Sequence, residues 1–577
     1  MLERADLFPK DLNKIPFEKN SPEHLLRSFF ETKKVEDLRL EDKNEDFYDD
    51  FVFFLEKTKL YSLLLSPKNH RKDGGCFDIH SISRFMEYFA FHSPSHAYSL
   101  QVSFLGIFPF LMSANEEIKK KAIESLQNGK LFAFGLSEKE HGSDLYSSET
   151  RITTDTGGDR IVNGRKYYIG NANCAEMISI LAVNEKKEFT FFALWPKESK
   201  SFLALKKIRT LGVKTAFVGA FQIQKLKLVE KDIISEGKSA WNAIFGTVNL
   251  GKFFLGLGSI GICEHAFTET LHHVRKRTLF EKPVLEMPHI QKSLCQAYVK
   301  LLSMKLFAYR AADYLSLASE SDRRYLLTNS VQKAKVSTQG VQVMQALSEC
   351  MGAKGFESST HFESALRDIA LIPSLEGSTH INYGIIASFA RNYFFNNKKI
   401  KAPSKIYAPI ENEFLFNAKT GGIKDVYFPK YEKSFQKLNN VKTTAIFLNQ
   451  VSAFRSFLKL TFLIEKASSL FRKKSKMKME AAEYIFHLGK IVSTIVYAQL
   501  IAEAIDHEKI ENEISELIFE SLSHDLNGLL SQLPSQMDSK MALKPILHAK
   551  LKSAIMFCNS NKSAEIKAVE LMKKHFI

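Results

Sequence analysis

Apolar residues recur every three or four positions from about Ser21 to Lys130, as in Phe51-Val52-Phe53-Phe54-Leu55 and the run Ala114 to Leu126. That spacing lines one face of a helix and predicts a helical region. From Leu131 to about Glu236 the pattern shortens to β-branched and aromatic runs: Thr150 to Thr154, Arg160 to Val162, Ile178 to Val183, Phe189 to Leu194 and Phe221 to Val229. Gly157-Gly158 and Asn163-Gly164 punctuate them, and the second pair is a strong hairpin signal, so an antiparallel β domain of about 100 residues is expected. Helical spacing returns from Trp241 to about Asn397, in segments ending near Phe280, Ser319, Gly352 and Phe395. Lys401 to Lys430 reads as a connector, and Tyr431 to Ile577 is helical again, broken near Lys473 to Lys478 and at Pro534. The predicted organisation is 1–130 helical, 131–240 β, 241–397 helical, 398–430 connector and 431–577 additional helical: a mainly α chain with a central β domain.

Composition supports that layout. With 45% hydrophobic and 25% charged residues over 577 positions, disorder is excluded as a description of the whole chain. The 27 Gly and 15 Pro are too few for a turn-dense all-β protein. The longest apolar stretch, Ile244 to Cys263, is interrupted by Asn249 and Lys252 and makes a poor membrane span. No secretory or transit pattern shows in the first 25 residues, and six scattered cysteines show neither a C-x-x-C pair nor zinc spacing. Reduced thiols, no metal and a cytoplasmic location are expected, or the mitochondrial matrix in a eukaryote.

Eighty Lys/Arg against 64 Asp/Glu leave a net charge of +16, which suits a polyanionic partner such as nucleic acid, an acidic membrane or a phosphorylated small molecule. Residues 401–577 hold 26 Lys/Arg and 18 Asp/Glu, with a dense basic run from Arg472 to Lys478. Beside Phe471 and Met477 this run could touch an anionic membrane surface, or it could be a solvated loop. It carries no DNA-reading motif and no stacking array of aromatics, which argues against nucleic acid.

Four segments carry candidate chemistry. Phe132 to Asp144 joins a strand to a loop with Ser137, Ser143 and a glycine turn, able to cradle a polar ligand or to cap the next element. Asn163 to Asn171 places Tyr167 and Tyr168 before Gly170, which suits a flat heterocycle or an ordinary strand. Arg277, near Phe280, could grip a pyrophosphate or simply complement a helix C-terminus. Glu376, between Leu375 and Gly377 ahead of an apolar helix, could be a general base in partly apolar surroundings or a capping acid.

In order and spacing these segments resemble the acyl-CoA dehydrogenase family over about residues 50–395. Ser137 to Asp144 matches T-E-P-x-x-G-S-D, with Ser137 for Thr and Lys139 for Pro. Asn163 to Asn171 matches N-G-x-K-x-W-I-T/S-N, with Tyr168 for Trp and Gly170 for a hydroxyl residue. Arg277 and Phe280 match R-x-x-F-G, with Glu281 for Gly; Gly352 to Phe356, Arg367-Asp368 and Glu376-Gly377-Ser378 match G-G-x-G-F, R-D and E-G-T/S, with Ala353 for Gly.

The resemblance implies an α-helical domain, a β-barrel-like domain and a four-helix domain, followed by a C-terminal helical extension as in the very-long-chain subgroup. It implies FAD-dependent conversion of a medium to long acyl-CoA to the trans-2-enoyl thioester in β-oxidation, with Glu376 as base and an electron-transfer flavoprotein as acceptor. An acyl-CoA oxidase giving hydrogen peroxide shares the added C-terminal bulk and the glycine at Gly170; a protein that binds flavin or acyl-CoA, or DNA as well, without turnover is the alternative of another class. Phe134, Leu136, Ser137, Tyr168, Ile169 and Gly170 fall at flavin positions. Arg277, Phe280, Gln291, Glu349, Gly352, Ser378 and His380 fall where the family holds the rest of FAD, often across a homodimer or homotetramer interface. Ser143, Asn249, Lys252 and Gly377 fall at acyl-CoA positions.

Overall fold

The protein is described by a computed structural model, covering residues 7–417, 425–469, 480–533 and 562–576. The basic run Arg472 to Lys478, the break at Pro534 and the Gly421-Gly422 pair of the connector lie outside the described residues.

Among the described residues, seven α-helices precede the sheet: α1 (Pro22–Thr32), α2 (Val35–Asn44), α3 (Asp49–Thr58), α4 (Leu60–Leu65), α5 (Ile79–His92), α6 (Pro94–Leu111) and α7 (Glu116–Gln127). Asp78 caps α5 by accepting the Ser81 N–H at 2.7 Å, and Pro94 opens α6 after the Ser93 cap. Such starts satisfy amides that the first helical turn leaves free. Nearly every residue of α6 is buried, because it runs between the other helices and the sheet.

The sheet contains β1 (Phe132–Gly135), β2 (Arg151–Thr154), β3 (Arg160–Gly170), β4 (Met177–Val183), β5 (Phe189–Leu194), β6 (Phe202–Ala204), β7 (Val218–Lys227) and β8 (Ile233–Glu236), in the order β6-β7-β3-β2-β4-β5-β8 with β1 also on β4. Two expectations are corrected. The sheet is mixed, since β1 runs parallel to β4, and Asn163-Gly164 is not a hairpin. β3 passes straight through it and pairs with β2 on one side and β7 on the other, with a register shift at Val162/Gly164. The turn lies earlier, at residues 155–159, where Asp155 accepts the Gly157 and Asp159 amides. At Gly164 a β-carbon would stand 2.5 Å from Thr150 Oγ1, and Asn163 Oδ1 accepts the Lys225 N–H at 2.9 Å. The pair serves a bulge and a close approach instead of a turn.

After the sheet come α8 (Gly237–Lys276), a two-residue hairpin between β9 (Thr278–Leu279) and β10 (Lys282–Pro283), α9 (Pro288–Ser316), α10 (Tyr325–Val331), α11 (Ser337–Met351), α12 (His361–Leu371) and α13 (Thr379–Phe395). A single π turn, Gln332–Val336, joins α10 to α11. Beyond the connector stand α14 (Lys442–Ser469), α15 (Glu480–Glu508), α16 (Asn512–Gln532) and α17 (Lys562–Phe576). Stretches within α8 and α15 are long and apolar enough to cross a membrane, yet 83% of each stretch is buried inside the protein. They are the central beams of a helical core.

The C-terminal helices are bolted into this core. Glu503 on α15 accepts from Arg310 Nε at 2.9 Å, Tyr314 at 3.1 Å, Ser434 at 2.8 Å and Gln499 at 3.1 Å. On α17, Phe576 stacks on Phe267 and His575 meets the Tyr298 hydroxyl at 3.1 Å.

Candidate active site

Between α6, α8, the end of β3, the loop 208–213 and the turn before α13 lies a cavity of about 830 Å³. Most of its wall is apolar. Glu376 projects from the turn between α12 and α13, with its backbone in the left-handed region at φ +51° and Gly377 following at +85°. A non-glycine residue held there costs about 1–2 kcal/mol, a strain that persists only where the surroundings impose it. Its N–H has no hydrogen-bond partner among the described residues.

The carboxyl packs against α8, where a β-carbon on Gly251 would stand 3.6 Å from Glu376 Cδ. Enclosure raises its pKa to about 7, opposed by two cations, Lys333 and Lys252. Both lysines are themselves buried, at 0% and 6% exposure. Desolvation lowers Lys333 to about 7 and Lys252 to about 8, while the Glu376 charge works the other way on each. Lys333 sits on the π turn and donates its ammonium to the Ile372 carbonyl, next to the strained turn. Two cations around one carboxylate make the ionised base affordable in an apolar wall.

The β3 wall is shaped by a second register shift, between Tyr167 and Ile169. There Tyr168 adopts φ +62°, which leaves its ring 57% exposed, edge-on to Tyr167. Asn171 Nδ2 ends the strand by donating to Ser99 O, Ser103 Oγ and Phe132 O at 3.1–3.2 Å, which fixes β3 against α6 and β1. Ser137 donates its hydroxyl to Tyr167 O at 2.8 Å and so ties the first loop to β3. Behind it, the buried Glu138 accepts from Lys166 at 2.9 Å and from Thr150 Oγ1 at 2.7 Å. The motif's acid and lysine therefore hold the loop in place and do not face the cavity.

The loop opposite is held by Arg367-Asp368 on α12. Asp368 accepts the Val213 N–H at 2.6 Å, and Arg367 donates to Leu211 O at 3.2 Å. Burial raises Asp368 to about 7.

Of the residues singled out from the sequence, Phe134, Leu136, Ser137, Ser143, Tyr168, Gly170, Asn249, Lys252, Glu376, Gly377 and Ser378 line this one cavity. Asn249 is tied to α10 by Asn329 Nδ2, which donates to its Oδ1 at 2.9 Å. Ser378 also caps α13. Ile169 does not line it, because its side chain is buried in the sheet core. His380 is exposed and packs on Phe486 of α15. Arg277, Phe280, Gln291, Glu349 and Gly352 lie outside the cavity around the α8–α9 hairpin and the end of α11, where Arg277 Nη1 would be 3.7 Å from a β-carbon on Gly352. Phe280 is 91% exposed on a tight turn in which it and Glu281 both have positive φ. The sequence reading missed Lys333, Tyr98 and Gln101, which sit on helices whose facing periodicity alone leaves open.

Residues 133–226 match the acyl-CoA dehydrogenase middle domain and residues 239–390 the acyl-CoA dehydrogenase C-terminal domain. The chain is similar to a 3-(aryl)acrylate reductase of Clostridium sporogenes, 26% identical over 293 residues, which cover 50% of this chain and 75% of that one. It is also similar to a cyclohexane-1-carbonyl-CoA dehydrogenase of Geobacter metallireducens, 24% identical over 306 residues, covering 52% and 79%. Among solved structures, an acyl-CoA dehydrogenase complexed with FAD from Bacillus anthracis superposes with a TM-score of 0.76 at 18% identity, covering 99% of this chain and 97% of that one. Butyryl-CoA dehydrogenase of Megasphaera elsdenii superposes at 0.59 and 20% identity, covering 64% and 98%. The first superposition takes in almost the whole chain, C-terminal helices included, and the second about two thirds of it. With both domain models matched in order and the carboxylate-bearing turn closing one cavity between them, residues 133–226 and 239–390 are the middle and C-terminal domains of an acyl-CoA dehydrogenase family member.

Proposed function

We propose that the cavity receives FAD and an acyl-CoA thioester side by side, and that Glu376 removes the α-proton as the β-hydride leaves, giving the trans-2-enoyl thioester. The observation that carries this is Glu376 itself: a strained, cavity-facing carboxylate with a pKa of about 7, held between two buried cations. A base with that proton affinity works best near neutral pH. The fit to the cofactor rests on the β3 wall, where Gly170, without a side chain of its own, and the exposed Tyr168 ring border the cavity as a flat heterocycle requires. Bound FAD would supply the two-electron acceptor.

The residues do the rest. Phe134, Leu136, Ser137, Tyr168 and Gly170 hold the ring. The proton passes from the substrate's α-carbon to a Glu376 carboxylate oxygen, and the Glu376 N–H is available to the thioester oxygen as negative charge develops there. Leu105, Leu255, Leu326, Ile385 and Phe389 offer an apolar lining to a hydrocarbon chain, which supports a medium to long acyl group. Arg277, Phe280, Gln291, Glu349 and Gly352 lie away from this cavity, and we assign them to the FAD of a second copy in a homodimer.

An electron-transfer flavoprotein is the proposed acceptor. Gly170, which offers no hydroxyl from the strand, favours a second reading, an oxidase that passes electrons to oxygen. Hydrogen peroxide formed under air separates the two. The test of the first step is anaerobic bleaching of the yellow protein by a series of acyl-CoAs. Glu376→Gln should retain FAD and lose bleaching by about 10²–10⁴-fold; an unchanged rate rejects the assignment.

A further inference from the structure

Gly170 leaves a gap in the β3 wall, and another side chain occupies it. A β-carbon on Gly170 would stand 2.6 Å from Val102 Cγ2, 2.9 Å from Tyr98 Cε1 and 3.0 Å from the Tyr98 hydroxyl. Any residue larger than glycine would collide with this phenol, so the two positions are complementary. We propose that the Tyr98 hydroxyl is the hydrogen-bond donor to the flavin edge at Gly170, delivered from α6 where the strand offers none. This rests on the proposed function, in which that wall faces the ring.

Four observations carry it. Tyr98 lines the same cavity as Tyr168, Gly170 and Glu376. Its hydroxyl has no hydrogen-bond partner among the described residues, while the neighbouring Tyr61 hydroxyl is already paired with Ser99 at 2.5 Å. The position of Tyr98 relative to Gly170 is fixed, because Asn171 clamps the strand's end to Ser99 O and Ser103 Oγ of the same helix. Enclosure and the Glu376 charge both push the phenol above its ordinary range, so it keeps its proton at any working pH. A neutral phenol is both donor and acceptor, and it can serve the ring edge before and after that edge gains a proton.

The test is Tyr98→Phe in the full chain, which removes one oxygen and leaves the ring that fills the gap. Losing one net hydrogen bond of about 1 kcal/mol should weaken FAD about fivefold, measured by fluorescence titration of the apoprotein without substrate. The visible absorption band of the bound flavin should shift as well. Tyr407→Phe, at an exposed position outside the cavity, is the control and should change neither readout. Thermal unfolding of the apo forms shows whether both variants fold as the parent does. A Tyr98→Phe protein with unchanged FAD affinity and an unshifted spectrum overturns this inference alone. A parent protein that refuses FAD overturns the proposed function and this inference with it.

Discussion

Replacing Lys333 by Met removes an ammonium from beside Glu376 while keeping most of the side chain's apolar volume. Glu376 stands at about 7 with both cations present. An opposite charge nearby lowers a carboxylate by about 1–3 units, so with two lysines sharing that effect, losing one should raise Glu376 by about one unit. At pH 7 the ionised base then drops from about half of the molecules to about a tenth, a loss of about fivefold in rate. Lys333, itself near 7, is charged below neutrality and neutral above it. Its help is therefore greatest on the acid side and fades where Glu376 is ionised without it. The assay is the rate of anaerobic flavin reduction by a saturating acyl-CoA across about pH 6 to 9. Because Lys333 loses its own charge over the same range, the acidic limb should move upward from about 7 by at most one unit, with parent and variant converging at the alkaline end, and Lys333→Arg, charged throughout, should hold the limb at or below the parent's. The Ile372 carbonyl also loses one of its two donors, keeping the Leu375 N–H at 3.2 Å, at a cost of about 1 kcal/mol that thermal unfolding will register separately. An unmoved limb, or a deficit that persists at high pH, refutes the electrostatic role.

Two further perturbations test the scaffold. Asp368→Ala frees the Val213 amide and with it the loop 208–213 that walls the cavity, so KM should rise several-fold with kcat nearly unchanged; a fall in kcat at constant KM would contradict this role. Glu503→Ala leaves the buried Arg310 with one carboxylate fewer and should destabilise the protein by about 3–5 kcal/mol, seen as a single unfolding transition at a lower Tm. If only the C-terminal helices melted early, the two parts would not be one cooperative unit.

The order of helices, sheet and helices is legible in the sequence because the period of apolar positions changes near residues 131 and 240, and that period reports which backbone geometry buries one face. Glu376 is legible for a different reason: its short motif sits on a turn whose backbone needs glycine at position 377, and such local requirements leave fixed spacing. What stays hidden depends on contacts distant in sequence. Asn163-Gly164 has the composition of a hairpin, but Thr150 and the β7 residue Lys225 claim its two residues for a bulge. Tyr98 and Lys333 have no motif around them, and their places follow from how α6 and the π turn are rotated against β3 and α13. The role of Arg367-Asp368 required knowing that the loop 208–213 returns to α12.

The C-terminal charge invites a reading that the packing redirects. A basic tail made for polyanions would be a separable unit with its charges on the surface, whereas Glu503, Arg310 and Asp313 are each no more than 5% exposed and join α15 to α9. An ion pair withdrawn from water costs several kcal/mol per charge and is held only where hydrogen bonds surround it. Here Tyr314, Ser434, Gln499 and the Pro403 carbonyl complete the set. Because the partners come from α9, the connector and α15 together, cutting the chain after Phe395 would strand Arg310 and Asp313 and uncover the apolar flank of α9. The extension is therefore part of what keeps α9 and the cavity-bearing helices in register, and any contact it makes with a membrane has to come from its outer face.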